Sequence, residues 1–586
     1  MILRLIIIFI CLIGTIMSAC NTSRSSFNEN DQKTLLVSPT IKLDQATMIA
    51  PTPLAPSPTV TRVKKQSSPA PITILQKEPP LFTDVIRNNP TPLPMTPQGG
   101  NLNIASPTWF SSLDPHREPS PSFAGWGPGL AYSRILKFRT GENVKLPSQA
   151  TECDLCEKWY MRSPDTFVFQ IKKNVDWQPS KETIGKKVTA YDVAFSLNRQ
   201  KQDFSVNAHI IHMIKNIEAE SSQDLKIVLN HPDADMFVAL ANGKTKILPK
   251  DIFSNPQNSN DNITIGSGPW KSDYKPQDTM VQLTKWNYKT ETPYIHSLEI
   301  MHIPDHQARK SAYLVNLIDI YQIDLVDLKE FSDFNILEHP DPGVGLAMAF
   351  NTITPPFNDI DFRKAVMLSI NPDEIIEEGW NSKAFFSLGY PMVSPAELAN
   401  NENIRTYFNM PDIARNIILN KADQGDFNIT ITTSDFGQEY MKSLEIITTQ
   451  MRHVGFNTTF EMLDRRQYSL KSWKNRDYQM LVGPILPQSS LNGYLLSTLH
   501  SNGPWNTTHN VDTELDQLIK AQLVEYDYDA RQHILQKMDL HLLEKGYRFM
   551  PATRKSLWSW AENVSDFYPN FSTNEYSHWE KIWVKP

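Results

Sequence analysis

Thr166-Phe-Val-Phe-Gln-Ile-Lys-Lys-Asn-Val-Asp-Trp177, followed by Val188-Thr-Ala-Tyr-Asp-Val-Ala-Phe-Ser-Leu197, decides the fold class. Residues 166–171 are mostly β-branched or aromatic, which predicts a strand. Thr189 and Asp192 stand three residues apart in a capping-box arrangement, so a helix opens there. Ala190, Val193, Ala194 and Leu197 then line one helical face. The same grammar holds elsewhere in the chain. Gly99-Gly-Asn-Leu-Asn-Ile-Ala105 alternates apolar and polar residues as a first strand would. Phe362, Ala365, Val366, Ser369 and Ile370 form one stripe behind Asp361, and Asn371-Pro372 stops that helix and caps the next. Short strands interleave with helices and no 20–50-residue repeat is present. The reading is an α/β protein.

Composition narrows the function. The 586 residues carry 57 Lys+Arg against 64 Asp+Glu, a net charge of −7 without a basic block. That disfavours nucleic acid as a partner. Proline is unusual, at 42 against 22 Gly. Thirteen of those prolines fall between Pro39 and Pro97, and residues 21–98 contain neither Trp nor Gly. Stretches such as Pro51-Thr-Pro-Leu-Ala-Pro-Ser-Pro-Thr59 cannot form a ladder or bury a core. They favour an extended, semi-rigid spacer of about 3 Å per residue. A protein-binding PxxP segment is the rival reading. Before this segment, Arg4 precedes an apolar run from Leu5 to Met17 and then Ser18-Ala19-Cys20. The run is short for a membrane span of about 20 residues and reads as an export signal. Apolar-Ser-Ala-Cys resembles the lipobox of bacterial lipoproteins, which implies cleavage before Cys20 and a lipid on its thiol. An ordinary export signal and an uncleaved anchor stay open, and each of them also places the chain outside the cytoplasm.

Several blocks, in order, resemble one family. Gly99-Gly-Asn-Leu-Asn-Ile with Leu113-Asp-Pro-His116 is similar to the opening of the extracytoplasmic solute-binding proteins of ABC importers, in their oligopeptide/dipeptide-binding (family 5) branch. Leu155-Cys-Glu-Lys-Trp159, the 166–177 and 188–197 stretches, Gly266-Ser-Gly-Pro-Trp270 and His302-Ile-Pro-Asp305 match further landmarks. So do Ala349-Phe-Asn-Thr352 and Pro355-Pro-Phe-Asn-Asp-Ile-Asp-Phe-Arg-Lys-Ala365.

The resemblance implies a two-lobed periplasmic-binding-protein-like fold of type II, with an extra subdomain in lobe I. The expected organisation is a signal peptide at 1–19 and a lipid-anchored Pro/Thr/Ser-rich disordered linker at 20–98. Lobe I follows at 99–345, with its inserted subdomain at about 132–265, then lobe II at 346–546 and a return to lobe I at 547–586. Hinge crossings are expected near 344–349 and 546–550. The resemblance also implies capture of a peptide or similar small solute by lobe closure and delivery to ABC permease subunits. No catalytic residue, metal or cofactor is expected, and the protein is expected to be a monomer tethered to the membrane.

The departures bear on the substrate. Peptide binders of the family hold the ligand's amino group with an aspartate after a core strand. Here the strand Tyr478-Gln-Met-Leu-Val-Gly483 runs into Pro484-Ile-Leu-Pro-Gln-Ser-Ser490, which has no carboxylate. Unless another acid substitutes, an ammonium would be buried unpaired at a cost of several kcal/mol. An amine-free ligand, a rebuilt site, or a fold repurposed as a sensor or surface-interaction protein all stay open. Gly483, Pro484, Leu486 and Gln488 are candidate ligand contacts. In Gly379-Trp-Asn-Ser-Lys-Ala-Phe-Phe-Ser-Leu-Gly-Tyr390, the aromatics Trp380, Phe386 and Tyr390 are candidate cleft walls or plain core.

Other motifs have plainer readings. Cys153-x-x-Cys156 is a local structural disulfide in an exported protein, with free thiols, redox and metal roles as alternatives. His302 and His306 flank Asp305, but Pro304 argues against one helix carrying both as metal ligands. Gly243-Lys-Thr245 lacks the earlier glycine of a phosphate loop. No HExxH or GxSxG motif supports a hydrolase.

Overall fold

The computed structural model describes residues 99–585, except 255–263, 276–277, 287–292, 388–401, 422, 424–426 and 486–489. The signal segment, Cys20 and the proline-rich linker lie outside the described residues.

The strands run β1 (Asn101–Ser106), β2 (Leu136–Phe138), β3 (Thr151–Cys153), β4 (Cys156–Ser163), β5 (Thr166–Ile171), β6 (Ile214–Ala219) and β7 (Asp224–Leu229). They continue with β8 (Trp270–Ser272), β9 (Met280–Lys285), β10 (Ser297–His302), β11 (Ile320–Ile323), β12 (Ile336–Phe350) and β13 (Ala384–Ser387). Then come β14 (Asn428–Ser434), β15 (Asn457–Leu463), β16 (Met480–Gly483) and β17 (Arg548–Trp560). Among the described residues one mixed sheet has the order β15-β14-β16-β12-β17-β11-β1-β10-β9-β8, with β13 added to β17. A separate antiparallel sheet, β4-β5-β7-β6, lies within the stretch between β1 and β8.

Three large hydrophobic cores organise the chain. The first gathers Leu102, Ile104, Trp270, Leu283, Ile300 and Trp579 around β1 and β8–β10. The second holds Phe167, Phe169, Val193, Leu197 and Ile227 between the four-stranded sheet and the helix Ala190–Gln200. The third collects Phe350, Phe362, Val366, Ile431, Leu444 and Met480 around the helices Ile360–Ser369 and Gln438–His453. Local signals behave as their chemistry dictates. Thr189 and Asp192 form the capping box, and the Asn371 side chain accepts from the Asp373 and Glu374 amides ahead of Pro372. The Asp305 side chain accepts from the Ala308 amide and starts the helix His306–Leu314, which leaves His302 on β10.

Among the described strands, β12 and β17 are the ones long enough to serve both the first and the third core. Their antiparallel register runs from Ile336↔Ser559 to Pro340↔Lys555, breaks, and resumes at Gly345↔Thr553. The residues between are bulged out of β12. Strand β17 leaves the third core at Ala552 and reaches the first at Trp558. A side chain at Gly345 has no room, because a Cβ there would lie 2.2 Å from the Ala552 carbonyl oxygen. Gly345→Ala is therefore expected to prise the crossing apart and cost about 1–3 kcal/mol, read as a lower midpoint in denaturant.

Gly266 and Gly268 answer a similar demand. A Cβ at Gly266 would sit 1.9 Å from the Ala131 carbonyl oxygen, so the turn is packed against backbone. Cys153 and Cys156 are joined by a disulfide that ties β3 to β4.

Candidate functional site

The strand directions converge on the β12–β17 crossing. Strands β1 and β11 are parallel, and β11 runs against β17 from Ile320↔Trp560 to Ile323↔Leu557. Their C-terminal ends therefore point to the crossing. From the other side, β16 runs against β12 from Met480↔Phe350 to Gly483↔Ala347, and β14 runs parallel to β16. Ligands of open α/β sheets bind beyond the carboxyl ends of strands. Here two such edges face one crossing.

On the first side lies a cavity of about 440 Å³. One wall is aromatic. Trp126 stacks on Trp558 with centroids 5.7 Å apart, and Trp558 leans on Phe571 at 4.3 Å. Opposite stands a polar group built on the helix His306–Leu314 and β11. His306 reaches Asp327 at 2.7 Å through Nε2 and Asp324 at 3.2 Å through Nδ1, with the Tyr321 hydroxyl 3.2 Å from Nε2. Arg309 donates to the Ile303 and Pro304 carbonyls. The floor is the bulge itself. Asp341 pairs with Arg554 at 3.1 Å and accepts from the Ser556 hydroxyl at 3.1 Å. Burial pushes the Asp341 carboxyl up in spite of the Arg554 guanidinium.

On the second side Tyr440 donates to the Gly345 carbonyl at 3.1 Å, and Phe436 packs on both Tyr440 and Tyr468. Gly483 is fixed by close approach, since a Cβ there would meet the Tyr468 hydroxyl at 2.7 Å. Gly483 and Pro484 border a small void of about 20 Å³ with Trp473, Trp505 and Arg548.

The residues singled out from the sequence divide three ways. Gly483 and Pro484 stand at the cleft edge of the third core. Trp380 and Phe386 are core side chains, 3% and 4% exposed. Trp380 donates to the Ser443 hydroxyl at 3.2 Å, and Phe386 packs on Phe408 at 5.0 Å. The reason for Phe386 is pleat: β13 pairs with β17, and alternation turns Phe386 inward and Phe385 to the opposite face. Tyr390, Leu486 and Gln488 lie outside the described residues. Sequence reasoning missed Asp341, Arg554 and the Trp126–Trp558–Phe571 wall. An acid between two prolines just ahead of an expected hinge crossing, Pro340-Asp-Pro342, was the available signal.

Comparison with known proteins agrees with this geometry. A sequence model described as bacterial extracellular solute-binding proteins, family 5, middle part, matches residues 151–507, more than half of the chain. The chain belongs to this family. Heme-binding protein A of Haemophilus influenzae is 23% identical over 404 residues, spanning 61% of this chain and 72% of that protein. Di/tripeptide-binding protein 3 of Pseudomonas aeruginosa is 21% identical over 474 residues, 74% of this chain and 86% of that one. Among solved structures, HbpA2 from Haemophilus parasuis superposes with a TM-score of 0.72 at 17% identity, covering 83% of this chain and 100% of that one. The fold is thus the two-lobed one of family 5. Strands β12 and β17 join the first core to the third.

Proposed function

We propose that this family 5 protein is the extracytoplasmic substrate-binding component of an ABC importer. It captures a short peptide or similar small solute between its lobes and hands it to membrane permease subunits. The observation that carries the reading is the cavity at the β12–β17 crossing, with an aromatic wall and a charged floor set on the strands about which the lobes would turn. A cavity of about 440 Å³ suits a ligand of dipeptide size. Closure over such a ligand would create a surface that the open form lacks, which is what a permease could read. Binding alone suffices for this role, with no bond made or broken. Cleavage before Cys20, a lipid on its thiol and the proline-rich linker complete the proposal as a tether at the outer face of the membrane.

Thermal unfolding with a solute panel tests it. A ligand bound only by the native state at a hundred times its dissociation constant adds about 2.7 kcal/mol. A rise in Tm of a few degrees with peptides or another small solute is expected. No shift with any member of a broad panel of peptides, chelates, sugars and opines would count against the reading.

A further inference from the structure

A second cavity, of about 680 Å³, shares no lining residue with the one at the crossing. It lies between the turn 139–151 that joins β2 to β3, the helix Asp235–Ala241, and the start of the helix Tyr528–Lys545. Each wall is fastened from behind. Asn570 is buried and donates to the Arg139 carbonyl at 3.1 Å and the Ser148 carbonyl at 2.9 Å, which holds both ends of the turn. The Arg139 amide closes the base of the turn on the Ala150 carbonyl at 2.9 Å. Across the cavity the Tyr526 hydroxyl accepts from the Asp233 amide at 3.0 Å and donates to the Pro164 carbonyl at 2.7 Å. The Ala234 amide donates to the Leu523 carbonyl at 2.8 Å beside it. The space is therefore framed by fixed walls, and it stays open while the buried Arg531–Asp235 pair shuts the junction next to it.

The lining combines flat rings with uncommitted amides. Trp159 and Phe237 have centroids 4.7 Å apart, Phe237 and Tyr526 follow at 6.1 Å, and Tyr528 lines the cavity beside them. All four rings are half-buried. The side chains of Asn143, Gln149 and Gln532 line the same space and have no hydrogen-bond partner among the described residues. Charge is balanced, with Arg139 and Lys145 against Glu525 and Asp529, while Arg531 is taken by Asp235 and His533 by the Asp529 carbonyl. We propose that this cavity is a second binding site, for an uncharged oligosaccharide. A sugar ring has an apolar C–H face that lies flat on an aromatic ring, and a rim of hydroxyls that both donate and accept. An Asn or Gln amide answers such a rim, since it donates and accepts from one planar group. An ionic ligand would need an excess of the opposite charge, which this lining lacks. A wholly apolar ligand would cover three amides without pairing them, at about 1–3 kcal/mol for each group left unsatisfied. The volume falls within the roughly 300–1,000 Å³ of small-molecule sites. The site goes beyond the solute-receptor reading and does not depend on it, because the two cavities have separate walls.

Titration of the full chain with maltotriose, cellotriose and chitotriose, followed by calorimetry and by amide hydrogen exchange, tests the assignment. At least one of the three is expected to bind and to slow exchange at 139–151 and 525–536, with 105–108, 318–324 and 554–558 unchanged. Trp159→Ala is expected to weaken that binding about tenfold. Trp159 also packs on the second core, so Gln532→Leu is the companion variant, expected to weaken binding several-fold with the melting temperature retained. Retention of the chain on insoluble chitin or cellulose, added to triose binding, assigns the site to a polymer end. Triose binding without retention assigns it to a free sugar, and both outcomes support the site. No heat from any triose at millimolar concentration overturns it. So does protection confined to 105–108, 318–324 and 554–558, which would make the sugar the solute of the first cavity. Wild-type affinity in both variants overturns it as well, and stronger binding of sialyllactose than of lactose overturns the choice of an uncharged ligand.

Discussion

Glu575→Gln is expected to destabilise the protein by about 3–5 kcal/mol, because it strands a buried guanidinium. Glu575 and Arg134 are 441 residues apart in sequence and wholly withdrawn from water, 0% and 2% exposed. They meet through two parallel bonds of 2.9 and 2.8 Å. The carboxylate further accepts from the Phe138, Tyr576 and Ser577 amides. Burial raises its pKa, but Arg134 and these donors outweigh burial and hold the carboxyl at about 2, against an ordinary 4.5. The sign of the pH effect follows. The unfolded carboxyl takes its proton first as pH falls, so the stabilisation is whole above about 4.5 and is lost as pH drops through about 2. The amide variant should be weaker at neutral pH and should lack this acid-dependent loss. Denaturant midpoints of both proteins between pH 7 and pH 2 check it. Coincident curves would show that the pair contributes nothing.

Why this pair exists is visible in what surrounds it. Arg134 stands just ahead of β2 and also donates to the Ala241 carbonyl at 2.7 Å. Its guanidinium lies 4.2 Å over the Tyr576 ring. Beside it, Lys246 is fully buried and donates to the Ala124 carbonyl and the Tyr576 hydroxyl. Burial and then the Arg134 charge push the Lys246 ammonium well below its usual range. The C-terminal segment is thus a polar clasp beside the first core, completed by Trp579, whose indole donates to the Gly125 carbonyl at 3.0 Å.

Signals confined to a few neighbouring residues were readable without the fold. Thr189 and Asp192 needed only each other, as did Asn371 and Pro372. The order of motifs sufficed for the two-lobed family. Leu113-Asp-Pro-His116 was recognisable as a family landmark, yet its reason is tertiary: Asp114 takes Arg199 through bonds of 2.9 and 2.6 Å. Burial holds the neighbouring His116 at about 4, so it stays neutral. The cavity was the least readable part. Trp380 and Phe386 have the residue types of a cleft wall, but Trp380 is taken up by Ser443, 63 residues on, and the face of Phe386 depends on β13 joining β17 out of sequence order. Asp341 and Arg554 are 213 residues apart and meet only because β12 and β17 pair. No local pattern encodes that pairing.

A second long-range cluster couples the helix Asp235–Ala241 to residues 491–531, and Arg531→Met is expected to break it. Arg531 donates to Asp235 at 2.7 Å, to Asn492 at 2.9 Å and to Gln522 at 3.0 Å. Asn492 in turn donates to both carboxylates, by its amide to Asp235 at 2.8 Å and by its side chain to Asp233 at 2.6 Å. All five side chains are buried. Burial, and next the Asp235 charge, push the Asp233 carboxyl up, so this site already carries more negative charge than is comfortable. Methionine keeps much of the volume of Arg531 and removes the cation that faces Asp235. Loss of a buried partner costs about 3–5 kcal/mol when the site stays closed. The junction has a second way to respond, since water can solvate Asp233 and Asp235 if the two segments part. The two responses are separable. A fall in global stability with protection retained at 233–238 and 491–531 means the junction stays shut and strained. Faster amide exchange confined to those two segments means that it opens locally, at a smaller global cost. Exchange and stability both equal to wild type would show that the cluster does not couple the two segments at all.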